Sequence, residues 1–160
     1  MPEPLVVFDC VVFLQGLIKE SGPAVTCLEY FEQGRFSLAI SSEVLSELHD
    51  VLSRSSLRQS FRLLTEEKAD RLIESLLSKG KLFGSVPKRF ELPRDPDDEP
   101  YLNLAIESGA QFLVTRDRDL LDLMRWDTEE GCDFQSRFRE LKILDPVVFL
   151  KEIEPAGKGA

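Results

Sequence analysis

The chain has 160 residues, of which 42% are hydrophobic and 31% charged, and its formal net charge is −9. That length suits one domain with a real hydrophobic core, and that balance excludes wholesale disorder. The acidity argues against nucleic-acid binding driven by overall charge, and no apolar run approaches membrane-spanning length.

"LVVF" (5–8) is a short apolar run of strand type, followed at once by Asp9. It is too short for the apolar region of a secretory signal, so none is expected. "CVVFLQGLIKE" (10–20) and "AVTCLEYFEQG" (24–34) have mixed helical spacing, and "FSLAI" (36–40) has strand character. "SSEVLSELHDVLS" (41–53) opens with serines suited to an N-cap. Its Val44, Leu45, Leu48, Val51 and Leu52 recur at helical intervals. "TEEKADRLIESLLSKG" (65–80) runs from a Thr start to a Gly stop, and "LFGSV" (82–86) has a weaker strand pattern.

In "RDPDDEPYLNLAIESGAQFLVTRDRDLL" (94–121), Pro100 suits a first helical turn and Gly109 a C-terminal cap. "FLVT" (112–115) then reads as a strand, as does "LKILD" (141–145), and Pro146 starts a short helix through "VVFLKEI". The stretch 125–140 has the least pattern; it is expected to be a surface insertion with a helical turn at "SRFRE". This alternation predicts an α/β fold with a mainly parallel sheet and helices on both faces. One domain is expected over 1–153, with a loose tail at 154–160. Cys10, Cys27 and Cys132 lie far apart without CxxC spacing, which fits a reduced, cytoplasmic protein.

The acids fall where chemistry is expected. In open parallel sheets the functional crevice lies beyond the carboxyl ends of the strands. Asp9 follows the first strand directly, and Asp117 and Asp119 follow "FLVT" by two and four residues. Asp98 stands at the mouth of the preceding helix, which a short antiparallel connection brings to the same edge. Glu47 falls beside Val51 on the helical wheel, at the border of the apolar stripe, whereas Glu43 and Asp50 face solvent. Taken singly, Asp9 and Asp98 read as helix caps, Glu47 as a surface residue, and Asp117 and Asp119 as turn acids. Their convergence changes that reading. Two carboxylates about 4 Å apart repel by roughly 4 kcal/mol at an effective dielectric of about 20. Such a cluster takes up protons or holds a cation, and an all-oxygen set favours Mg²⁺ or Mn²⁺.

The order strand–Asp9, helical Glu47, Asp98 in "RDPDD", then Asp117 in "TRDRDLL" resembles the PIN domain, in particular the bacterial PIN-family toxins of toxin–antitoxin systems. The likeness runs from about Leu5 to Leu150, and "RDPDD…LA…GA…LVT.D.DLL" is its specific part. The resemblance implies a three-layer α/β/α sandwich, a Mg²⁺- or Mn²⁺-dependent ribonuclease of single-stranded RNA, an antitoxin partner and a homodimer. It carries the catalytic, metal-binding acids onto Asp9, Glu47, Asp98 and Asp117, with Asp119 as a supporting ligand and Thr115 as the small hydroxyl that orders the site. Arg116 and Arg118, beside the acids, suit substrate phosphates. The family's first motif often reads Asp-Thr-Asn; here it reads Asp9-Cys10-Val11, and Val11 lacks the polar contacts of an Asn.

Other chemistries fit less well. A haloacid-dehalogenase-type phosphatase requires a second Asp at the position of Val11. His49, the only histidine, has no Ser or Cys nucleophile pattern near it and reads as a rim residue. The rival to the nuclease is a PIN-like binding or scaffold module with weak or absent catalysis.

Overall fold

Five short strands pair in parallel: β1 (Leu5–Phe8), β2 (Ser37–Ser41), β3 (Lys81–Phe83), β4 (Phe112–Val114) and β5 (Lys142–Leu144). Their order across the sheet is β3-β2-β1-β4-β5 in this computed structural model, which describes residues 3–154. β1 lies at the centre, with Val6, Val7 and Phe8 all buried, as expected of a strand covered on both faces. Its register sets Phe8 opposite Val114 on β4, so both strands end at the same edge.

Nine α-helices connect and flank the sheet: α1 (Cys10–Ile18), α2 (Pro23–Glu32), α3 (Ser42–Leu52), α4 (Ser55–Ser60), α5 (Glu66–Lys79), α6 (Glu99–Ser108), α7 (Arg118–Leu121), α8 (Glu129–Arg137) and α9 (Pro146–Ile153), counted among the described residues. Together they make the three-layer α/β/α sandwich. An aromatic cluster fills part of the core, with Phe8 against Phe13, Phe36 and Phe149 at centroid separations of 5.5, 5.6 and 6.0 Å. Gly109 ends α6 at φ 72°, a left-handed value that glycine adopts without strain. No described helix is long and apolar enough to cross a membrane. Of the tail expected at 154–160, all but Glu154 lies outside the described residues.

Two stretches differ from their sequence-based expectation. The stretch 125–140 is no mere surface insertion: it carries α8, capped by Thr128, whose side chain accepts from the Gly131 N–H at 2.9 Å. Phe134 is buried against Phe90, edge-to-face at 5.2 Å. Gly131 is needed there, because a Cβ would stand 1.9 Å from the Arg125 carbonyl oxygen. The third strand starts one residue earlier than "LFGSV" and stops before Gly84.

Between β3 and α6 the chain runs without regular structure until a 3₁₀ turn at Pro96–Asp98, yet this loop is firmly tied. Buried Asn103 of α6 accepts from the Arg89 and Phe90 N–H groups at 2.7 and 2.9 Å. Its amide donates to the carbonyls of Phe90 and Glu99, both at 3.0 Å. Glu99 accepts from the Leu92 N–H at 2.7 Å and pairs with Lys88 at 3.1 Å. A side-chain amide thus takes the place of a strand partner. Asn103→Ala would strand buried backbone groups, and we expect it to cost about 3 kcal/mol, read as a lower urea midpoint with an unchanged slope.

Candidate metal centre

Asp9 leaves β1 and caps α1. Its N–H donates to the Val114 carbonyl at 3.2 Å, which locks the ends of β1 and β4 together. Its Oδ1 accepts from the Val12 N–H at 3.0 Å, and its Oδ2 accepts from the Thr115 hydroxyl. Thr115 is fully buried, and its Oγ1 also accepts from the Asp117 N–H at 2.9 Å. One hydroxyl therefore sets both the Asp9 rotamer and the backbone course toward Asp117. Asp117 caps α7, accepting from the Leu120 N–H at 3.0 Å on Oδ2.

Asp98 stands at the N-terminus of α6 but makes no capping hydrogen bond, so its carboxyl is not engaged in holding the helix. It meets the Asp95 carboxyl instead. Asp95 also joins Asp117 and Asp119, the three offering carboxylate oxygens all within 4.8 Å of one another. Asp95, the first acid of "RDPDD", is not among the site residues expected from the sequence. Its place in the cluster comes from the tied loop, a long-range effect that no local spacing reveals. Glu47 of α3 is not one of that trio; its Oε1 accepts from the Tyr101 hydroxyl at 2.8 Å. Glu43, Asp50 and His49 are exposed, as the helical wheel predicts.

The electrostatics follow from this crowding. Burial pushes the Asp9 carboxyl up to about 6, against the pull of Thr115 and Val12, and the Asp117 charge adds to the rise. Burial is also the largest cause for Asp98, followed by Asp95 and then the charges of Asp9 and Asp117, and takes it to about 8. Asp117 is raised as well, first by burial, with the Leu120 N–H working against it. Cys10 is pushed up to about 11 by burial and by the charges of Glu47 and Asp9, so its thiol stays neutral. Among the described residues, no ion pair includes Asp9, Glu47, Asp95, Asp98, Asp117 or Asp119. An all-oxygen donor set with no ion-pair partner fits a hard divalent ion.

Arg116 and Arg118 are exposed and, among the described residues, carry no ion pair. The Arg116 charge works against the burial that raises the Cys27 thiol. Val11 is 46% exposed. A groove of about 840 Å³ lies elsewhere, between α1, α2 and α5, and its lining mixes Lys19, Lys68 and Arg71 with Glu20, Glu29 and Glu32. It contains none of the clustered acids.

Comparison with known proteins agrees with this architecture. The sequence pattern of the PIN domain matches residues 5–119. An uncharacterized protein of Methanocaldococcus jannaschii is 27% identical over 149 residues, covering 93% of this chain and 91% of its own. Among solved structures, VapBC2 from Rickettsia felis, bound to a DNA fragment from their promoter, superposes with a TM-score of 0.50 and 19% identity. It covers 88% of this chain and 98% of that one. PAE2754 from Pyrobaculum aerophilum gives a TM-score of 0.50 and 18% identity, over 95% and 90% of the two chains.

Two outcomes follow from the charge balance. A carboxyl raised in the folded state stabilises the fold while protonated and loses that contribution as pH rises through its folded value. For Asp98 the window runs from its ordinary 3.8 to about 8. In chelator, the melting temperature is expected to fall across that window, and Asp98→Asn to flatten the fall; a wild-type curve that climbs there would contradict the reading. Millimolar Mn²⁺ is expected to restore stability at the alkaline end, by about 2.7 kcal/mol when present at about 100 times its Kd.

Proposed function

This chain belongs to the PIN domain family, whose members are typically metal-dependent nucleases, and from that premise we propose that it is a Mg²⁺- or Mn²⁺-dependent endoribonuclease acting on single-stranded RNA. The observation that carries the proposal is the cluster of carboxylates at one sheet edge, none of them in an ion pair among the described residues.

In this reading Asp9, Asp98 and Asp117 are the principal metal ligands, Glu47 completes the set, and Asp119 supports it. Asp95 joins them as an addition to the pattern read from the sequence. When bound, the ion supplies positive charge to the phosphodiester and acidifies water near it. The residues do the rest. Thr115 holds Asp9 in one rotamer, and the α1 and α7 amides hold one oxygen each of Asp9 and Asp117. Asp98, raised to about 8 by burial and by Asp95, holds a proton at neutral pH and would give it up to serve as a ligand. Arg118 and Arg116 would receive the flanking phosphates of a flexible single strand.

The toxin role in a toxin–antitoxin pair, an antitoxin partner and a homodimer belong to the same proposal and rest on the motif resemblance, and a cytoplasmic setting rests on the scattered cysteines. A binding or scaffold module is the second reading, favoured by one observation: Val11 brings no polar group to the site.

Asp9→Asn and Asp98→Asn keep volume while removing ligand charge. Each is expected to lower metal-dependent cleavage of a mixed single-stranded RNA panel by more than about a hundredfold, since outer partners alone are worth about 10–100-fold. Binding should weaken steeply with salt, and Arg118→Ala should make that dependence shallower. A folded, metal-loaded protein that leaves the panel intact at low salt would favour the scaffold.

A further inference from the structure

We infer that Tyr101 is a positioning residue for Glu47: its buried phenol, carried by α6, fixes the carboxylate that α3 contributes to the metal centre. The inference rests on the metal reading of the site and adds to it a residue that belongs to no part of the acidic pattern.

Tyr101 is 1% exposed, so its ring is core while its hydroxyl needs a partner. That partner is Glu47 Oε1 at 2.8 Å, 54 residues away in the chain. The bond bridges two elements that are also in contact, α3 and α6. Both ends of the bridge sit beside the acids. Tyr101 lies three residues after Asp98 on the same helix start, and Cys10, next to Asp9, is within reach of the same phenol. Burial and the neighbouring negative groups keep the phenol protonated, so it acts only as a donor to the carboxylate.

A Glu side chain on a helix surface has three torsions to order before it can serve as a ligand. Among the described residues no cation pairs with Glu47, so the phenol supplies its orientation. The bond engages one lone pair of Oε1 and leaves Oε2 for the site. The simpler alternative is that Glu47 exists only to satisfy a buried hydroxyl. In that case the pair matters to stability and not to the ion.

A double-mutant cycle read by Mn²⁺ calorimetry decides between them. Tyr101→Phe keeps the ring in its slot and removes only the hydroxyl; Glu47→Gln removes the ligand charge. Wild type, both single variants and the double variant are titrated with Mn²⁺ alone, after circular dichroism has confirmed that each is folded. We expect Tyr101→Phe to weaken Mn²⁺ binding about tenfold in the wild-type background. In the Glu47→Gln background it should have no further effect. Equal Mn²⁺ affinity in wild type and Tyr101→Phe would overturn the inference and leave the metal site standing, as would independent losses that simply multiply. A wild type that binds no Mn²⁺ would overturn the metal reading itself, and this inference with it.

Discussion

Carboxylates gathered at one edge of a parallel sheet repel each other, and the rest of this structure is arranged around that repulsion. Five acids meet there from four places in the chain: β1's end, the loop before α6, the start of α6, and the turn after β4. The usual remedy in a folded protein is a neighbouring Arg or Lys. Here the ion pairs lie elsewhere, on exposed helices and on Glu99, which is tied to Lys88 and the Leu92 amide. Asp9, Asp98 and Asp117 instead move their pKa values upward, and Asp98 reaches the highest value, about 8. A site in that state accepts a divalent cation readily, because the ion removes a penalty that the fold otherwise carries.

Such a cluster keeps its shape only if the scaffold is stiffer than the repulsion. Stiffness comes from hydrogen bonds that each serve two elements. The Thr115 hydroxyl donates to Asp9 and accepts from the Asp117 amide, coupling β1 to the turn after β4. Asn103 and Glu99 fasten the irregular loop to α6, and the same helix carries Asp98 into place and delivers the loop's Asp95 beside it. Tyr101, again on α6, reaches across to Glu47. One helix therefore organises three of the acids, and its outward contacts account for much of the geometry that a list of ligands would leave unexplained.

How much of this was legible in the sequence depends on range. The fold class followed from strand and helix periods, and Asp9, Asp98 and Asp117 could be set at one edge because parallel strands end together. Glu47 was placed by its angle on a helical wheel. The rest was hidden for physical reasons. Gly131 looks like a helix breaker, yet it is there because Arg125's carbonyl passes too close for a Cβ, so α8 reads as irregular. Asp95 sits in a stretch without period, and its position is set by Asn103 and Glu99, whose partners are backbone groups that leave no trace in residue identity. Tyr101 passes for an ordinary core aromatic, since one apolar pattern suits both Phe and Tyr.

The nuclease proposal and the bracing role of Tyr101 share one claim: these carboxylates form a cation site, held ready by α6. Diffraction from crystals soaked in Mn²⁺, with the anomalous signal of the metal recorded, tests it most directly. The account predicts an anomalous peak at the sheet edge, within coordination distance of carboxylate oxygens from Asp98 and Asp117, with Asp9 or Asp95 among the remaining ligands. Soaked crystals with no peak there, and with the Asp98 carboxyl still hydrogen-bonded to Asp95, would contradict it.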